Sequence, residues 1–152
     1  MKVNWRLKHF SELTTEELYK IFNLRLEVFS IEQNCAYQDA DGKDLNSFHL
    51  MRFDEKEKLT AYSRILPAGI AFKEVSIGRV IISQKVRGTG LGKELMKKSI
   101  LAAEQKFGKT PIRIGGQYYL QKFYESFGFV IASEQYLEDN IPHVEMLFQN
   151  KT

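Results

Sequence analysis

A single cysteine, Cys35, is all the thiol this 152-residue chain has. No intrachain disulfide can form, so the sequence fits a reducing compartment. No apolar run approaches the roughly 20 residues of a membrane-spanning helix, and the first residues, MKVNWRLKHF, have no signal-peptide hydrophobic region. The expectation is a cytosolic, cytoplasmic protein without a membrane partner. A block of one charge is missing too: 22 Lys and Arg are interspersed with 19 Asp and Glu, for a net charge of +3. That argues against nucleic acid as the main ligand and leaves room for a local basic patch on a phosphorylated small molecule. No Cys and His set has metal-ligand spacing, so no metal is expected. No repeat, low-complexity tract or Pro/Gly/Ser linker divides residues 1–152, which read as one domain. Monomer and homodimer are both open.

What is present is patterned. Val3, Trp5 and Leu7 alternate with polar neighbours and predict a strand over residues 3–8. TTEE then makes a capping box, in which Thr14 and Glu17 satisfy each other's backbone N–H groups, ahead of a helix reaching about Phe29. The polar stretch EQNCAYQDADGKDLN reads as loop. Strands come next over residues 48–54, 59–66 and 74–82, the last rich in β-branched residues. A helix is predicted over about 90–107, ended by Gly108 and Pro111. PIRIGG is a short strand, YYLQKFYESFG a helix closed by Gly128, and GFVIAS with HVEMLFQ a hairpin-like tail. Strands at both ends around one β-glycine-α unit give an α+β fold with a mixed sheet flanked by helices.

The glycines of SQKVRGTGLGKELM raise a chemical question, because Gly88, Gly90 and Gly92 alternate directly before a helix. A Walker A loop fails, since Arg87 stands where its first glycine belongs and Glu94 where its hydroxyl belongs. A dinucleotide fingerprint fails as well, since it requires glycine at Lys93 or Leu95. What remains is strand, turn, then R-x-x-G-x-G from Arg87 to Gly92. N–H groups at a helix start lack intrahelical partners and favour a phosphate, and glycine lets that phosphate approach without meeting a Cβ. A tight strand-to-helix turn with no ligand is the plain alternative.

Downstream, FYESFGF (residues 123–129) is an aromatic helix end followed by Gly and a further strand. With these two segments the chain resembles the Gcn5-related N-acetyltransferases, the GNAT superfamily. There an R/Q-x-x-G-x-G/A turn holds the acetyl-CoA pyrophosphate, and Y-x-x-x-G-F carries a tyrosine beside the CoA sulfur. LRLEVFSIEQNCAYQDADGKDLNSFHL and NIPHVEM resemble the ElaA-type branch, which carries R-x-x-V-F-x-x-E-Q-x-C-x-Y, D-x-D-G-x-D and a following His. The likeness then covers nearly the whole chain, and it implies acetyl-CoA as co-substrate and an amine as acceptor.

The resemblance implies a set of roles. Gly88, Thr89, Gly90, Leu91, Gly92 and Lys93 would hold the pyrophosphate, with Arg87 binding phosphate or capping the turn. Val80, Ile81 and Ile82 would present backbone groups to the pantetheine arm, and an N–H near Val80 would face the thioester oxygen. Tyr124 is the proton donor to the leaving thiolate, because a phenol stays protonated at neutral pH; a ring packed in the core is its other reading. Glu74 resembles the strand carboxylate that histone-type GNATs use as base. In a regular strand it shares a face with Ser76, Gly78, Val80 and Ile82. His143 and His49 are the alternative bases, and ordered water needs no residue at all. Arg25, Glu32, Gln33 and His49 are expected to shape the acceptor side.

DADGKD is no EF-hand, since Gly42 is fourth from Asp39 and Leu50 takes the twelfth position. It reads as an acidic turn able to attract a cationic acceptor, and Cys35 as a small buried residue. Two further readings stay beside the acetyltransferase. R-x-x-V-F also resembles acyl-homoserine-lactone synthases, which would use a longer acyl donor. A CoA-binding regulatory module without turnover is the non-enzymatic one.

Overall fold

The computed structural model describes residues 2–32 and 38–149. Two antiparallel sheets meet along one seam. The first has the order β1 (Asn4–His9), β2 (Phe48–Phe53), β3 (Leu59–Leu66), β4 (Ser76–Ile82). In the second, β5 (Ile112–Gln117) pairs one edge of the strand Ile141–Phe148, here β8, while β6 (Val130–Ile131) and β7 (Tyr136–Glu138) pair the other. The seam is a single parallel bridge between Val75 and Ile112, where the Arg113 N–H donates to the Val75 carbonyl at 2.9 Å. Beyond that bridge β4 and β5 belong to different ladders.

Helices cover both faces of the first sheet. α1 (Thr15–Arg25) starts at the expected capping box: the Thr14 hydroxyl accepts from the Glu17 N–H at 3.0 Å, and the Glu17 carboxylate accepts from the Thr14 N–H at 2.9 Å. It buries Ile21 and Leu24 against Met51, Phe53, Tyr62 and Ile81. α2 (Leu91–Phe107) covers the opposite face, with Met96, Ile100 and Ala103 packed on Ile65, Ile77 and Ile114. Full burial of such a side chain stabilises by about 1.5–3 kcal/mol, so these two layers dominate the core. α3 (Gln121–Glu125) is a single short turn reached through a 3₁₀ turn at Tyr118–Leu120.

The backbone departs from the sequence expectation in three places near the site. First, α-helical winding stops at Arg25, four residues before Phe29, and the chain continues as a π-helix over Leu26–Glu32. Such wide turns are rare and concentrate at functional sites. Second, β4 is bulged. Tyr62 pairs Ile81 and Arg64 pairs Gly78, so Ser63 alone faces both Arg79 and Val80. Arg79 takes φ +50°, a left-handed conformation that costs a non-glycine residue about 1–2 kcal/mol. The even-numbered face predicted from Glu74 to Ile82 is therefore broken: Ile77 packs on the α2 side together with Val80, and Ile81 on the α1 side. Third, β7 interrupts the expected two-strand tail. It turns into β8 through Asp139 and Asn140, both at positive φ (51° and 64°), as a two-residue hairpin loop requires.

Candidate active site

Past the Val75–Ile112 bridge, β4 and β5 diverge and leave a cleft of about 320 Å³. One wall is residues 77–82 of β4 and the other is residues 114–117 of β5. Val28 and Phe29 of the π-helical segment overhang it, Tyr124 closes it from α3, and Glu138, Asp139 and His143 reach it from the β7–β8 hairpin.

Tyr124 is set by its neighbours. α3 ends at Glu125, well short of the expected helix end, and the turn after it closes at Gly128, whose φ of +104° suits glycine, so that Phe129 packs on Tyr124 with ring centroids 6.1 Å apart. The ring also lies against the β5 backbone: a Cβ built on Gly116 would sit 2.9 Å from Tyr124 Cε2. Only glycine allows that approach. Tyr124 is 8% exposed yet lines the cleft, and burial, with Tyr119 nearby, pushes its phenol up to about 12. It holds its proton throughout the neutral range.

His143 faces Gln117 across one ladder and Tyr136 across the other. Its Nδ1–H donates to the Ile141 carbonyl at 2.7 Å, since a carbonyl only accepts. In the neutral ring Nε2 is thereby the acceptor, and it stands 3.6 Å from a Glu138 carboxylate oxygen. With Nδ1–H held by the Ile141 carbonyl, Nε2 is the ring nitrogen left to accept a hydrogen bond within the cleft.

The glycine turn connects this cleft to α2. Gly88 and Gly90 both take φ +82°, and among the described residues no atom other than those of their chain neighbours lies within 4 Å of where a Cβ would be. Gly90 is the N-cap of α2 and brings no side-chain cap, so the first-turn N–H groups point outward without a capping acceptor from that residue. Gly92 packs instead: its would-be Cβ lies 3.5 Å from Ile82 Cδ1 and 3.9 Å from the Phe123 ring, which draws the helix start, the end of β4 and α3 together. Arg87 caps the strand end, donating from Nε and Nη2 to the Ile82 carbonyl at 3.2 and 3.1 Å, and also lines the cleft. The Thr89 hydroxyl donates to the Val86 carbonyl at 2.7 Å. Leu91 is buried, and Lys93 is exposed on the first turn.

Tyr124, His143, Val80, Ile81, Ile82 and Arg87 thus meet at one cleft, and residues 88–93 form the turn beyond it. Several other expected site residues lie elsewhere. Glu74 sits at the closed end, beside the seam, bonded by Arg113 at 3.0 and 3.3 Å. That hydrogen bond and charge hold its carboxyl below the usual range. Arg25 is fully buried, paired with Asp39 and Asp44 at 2.7 Å each, and has no surface to offer an acceptor. His49 is equally buried: the Tyr62 hydroxyl donates to Nδ1 at 2.6 Å and Nε2–H donates to the Asp44 carbonyl at 3.0 Å. Burial lowers its pKa, so it is a neutral core histidine. Asp39, Asp41 and Asp44, expected as an acidic turn facing a cation, are instead bound by the protein's own arginines. Gln33, Cys35 and the Glu32 side chain lie outside the described residues.

Sequence reasoning passed over Gly116, Phe29 and Glu138. The Gly-Gly pair inside PIRIGG was the available signal, since glycine within a strand marks a close approach. Phe29 closes the R-x-x-V-F motif, but its place over the cleft depends on the π winding, which the motif does not show.

The splayed seam with a glycine turn at its open end is the acyl-CoA N-acyltransferase fold. The crystal structure of an acyl-CoA N-acyltransferase from Pseudomonas aeruginosa matches with a TM-score of 0.92 and 43% identity, covering 97% of this chain and 99% of that one. The family model of the Acetyltransferase (GNAT) domain matches residues 13–149, and the chain belongs to that family. Within it, Protein ElaA of Escherichia coli (strain K12) is 42% identical over 146 residues, 95% of each chain. The crystal structure of Escherichia coli ElaA matches with a TM-score of 0.90 and 40% identity, covering 97% of this chain and 99% of that one.

Proposed function

We propose that this protein is an acetyl-CoA-dependent N-acetyltransferase that moves the acetyl group to a primary amine, of a small molecule or a peptide, by direct attack in a ternary complex. The observation that carries the reading is the meeting of a protonated Tyr124 and an acceptor-oriented His143 on one cleft that opens toward the glycine turn. Acetyl-CoA supplies the activated acetyl group. Residues 88–93 hold its pyrophosphate with backbone N–H groups, helped by Arg87 and Lys93. The backbone of Val80, Ile81 and Ile82, opened by the bulge, meets the pantetheine arm.

The chemistry balances with two side chains. The neutral amine's lone pair forms the new C–N bond, the extra proton on that nitrogen passes to His143 Nε2, and a strand N–H near Val80 stabilises the charge that develops on the carbonyl oxygen. The C–S bond then breaks, and Tyr124 gives its proton to the departing sulfur. Glu74 takes no part, because it stands at the closed end of the cleft with its charge already matched. A cytosolic setting suits a chain with one cysteine.

Thiol release from acetyl-CoA across a panel of primary amines tests the reading, with a longer acyl-CoA as a second donor. We expect saturable CoA binding, amine-dependent release, and preference for the acetyl donor. Tyr124→Phe is expected to lower kcat by about 100-fold while CoA affinity stays within about twofold. Binding without release would make the protein a CoA-binding module, faster release from the longer donor would change the acyl group, and unchanged turnover in Tyr124→Phe would remove that residue from the chemistry.

A further inference from the structure

We propose that three arginines and three aspartates form a closed ring of ion pairs that positions the cleft, and that Arg79 is the positioning residue through which it acts. Arg79 meets Asp39 at 2.8 Å; Asp39 meets Arg25 at 2.7 Å; Arg25 meets Asp44 at 2.7 Å. Asp44 meets Arg64 at 3.0 Å, Arg64 meets Asp41 at 2.9 Å, and Asp41 returns to Arg79 at 3.4 Å. Each arginine bridges two carboxylates and each carboxylate bridges two arginines, so the charges alternate around the circle. The inner members are nearly sealed from water, with side-chain exposures of 0% at Arg25 and 3% at Asp39, whereas Asp41 and Arg79 form a rim at 20%.

Stability alone is a weak reason to bury six charges, because well-packed apolar residues do as well or better. Geometry supplies a stronger one, since planar guanidinium forks fix distances and angles that a greasy contact leaves loose. The ring touches the cleft in two places. Arg79 is the left-handed bulge residue of β4, between Gly78 and Val80 on the cleft wall. Arg25 is the last α-helical residue before the π-helical segment, whose Val28 and Phe29 overhang the same cleft. The Arg79 guanidinium also lies 5.9 Å from the Phe29 ring centroid. One network therefore sets both the bulge that opens the strand and the overhang facing it. Two segments that the sequence presents separately, R-x-x-V-F and D-x-D-G-x-D, become parts of this one device.

The catalytic half of this inference rests on the acyl-transfer reading; the structural half does not. The test combines amide hydrogen exchange, thermal melting, CoA titration and steady-state kinetics on Arg79→Gln, Arg79→Lys and Asp41→Asn. In Arg79→Gln, exchange is expected to rise about tenfold or more over residues 26–29 and 77–82 and to stay unchanged in β5. With it, kcat is expected to fall about 30-fold while CoA affinity, held mainly by the pyrophosphate at the glycine turn and only in part by the pantetheine contact with residues 80–82, falls by no more than about threefold. Arg79→Lys recovers part of kcat, since an ammonium keeps one carboxylate and loses the fork. Asp41→Asn, at the rim, shows the same pattern at smaller size and decides the matter if Arg79→Gln does not fold. Wild-type exchange and kcat in folded variants would overturn the proposal, as would a rise in exchange spread equally over β5. A wild-type protein that neither binds CoA nor releases thiol would instead sink the acyl-transfer reading, and the exchange pattern would still judge the ring.

Discussion

The two walls of the cleft are made from opposite materials. The β4 side rests on alternating full charges drawn from residues 25, 39, 41, 44, 64 and 79. The β5 side is held by apolar packing around Gly116, Tyr124, Phe129 and Val144, all within one stretch of chain. Charge pairing in a buried site is close to all-or-none, because a partner left alone keeps its full desolvation cost. Apolar packing fails by degrees, with the volume lost or forced in. The same cleft is thus brittle on one wall and compliant on the other.

The largest effect that tests this contrast is expected from Arg25→Leu. The change leaves Asp39 and Asp44 without their shared inner partner, and burial then works against both carboxylates. Asp44, which Arg25 and Arg64 hold below the ordinary range in spite of burial, loses much of that support. We expect a loss of about 3–5 kcal/mol in urea unfolding at neutral pH. A loss under about 1 kcal/mol would mean that the ring is not brittle, and the contrast between the walls would disappear.

On the other wall, Gly116→Ala is expected to cost about 1–3 kcal/mol, since one added methyl must displace a ring that has some room to tilt toward the cleft. Its signature is in turnover: Tyr124 moves with the methyl, so kcat falls as in Tyr124→Phe while CoA binding persists. A Gly116→Ala protein with wild-type kcat would show that Tyr124 tolerates displacement and does not touch the reacting sulfur.

The contrast also explains what could be read from the sequence. Local signals were legible: the Thr14–Glu17 capping box and the strand Leu59–Leu66 stand where expected, and so does the glycine turn before α2. The β5 wall is nearly local too, and the segments FYESFGF and NIPHVEM that carry Tyr124 and His143 resemble family motifs as short runs. The ring could not, because its pairs join residues up to forty positions apart and depend on topology, not on spacing. Arg25 and His49 are expected from the resemblance to shape the acceptor side, and the fold buries both. Gly78 beside Arg79 was the one hint of a bulge, and without it a regular alternation carried Glu74 onto the cleft face. β7 offers three residues with Leu137 and Glu138 exposed, which leaves no alternation to read.

The smallest expected effect is at Glu74, and it bears on where the two walls join. Arg113 bonds Glu74 on the first sheet's side of the seam and Glu145 on β8, at 3.0 Å each, so it clips the closed end of the cleft. These groups are partly exposed at the surface, and an ion pair of that kind contributes about 1 kcal/mol or less. Glu74→Gln is expected to cost less than about 0.5 kcal/mol at neutral pH. The sign of its pH dependence comes from a carboxyl held below its ordinary value by Arg113. The wild-type advantage is present above the unfolded carboxylate pKa of about 4.3 and is lost as pH falls through the folded value, so the two proteins converge in acid. On the proposed mechanism the kcat profile against pH is unchanged in Glu74→Gln, because that mechanism assigns the amine's proton to His143 and not to Glu74. Loss of the alkaline rise in rate in Glu74→Gln would move the base to the seam, and the acceptor would then have to enter from the end of the cleft that Arg113 holds shut.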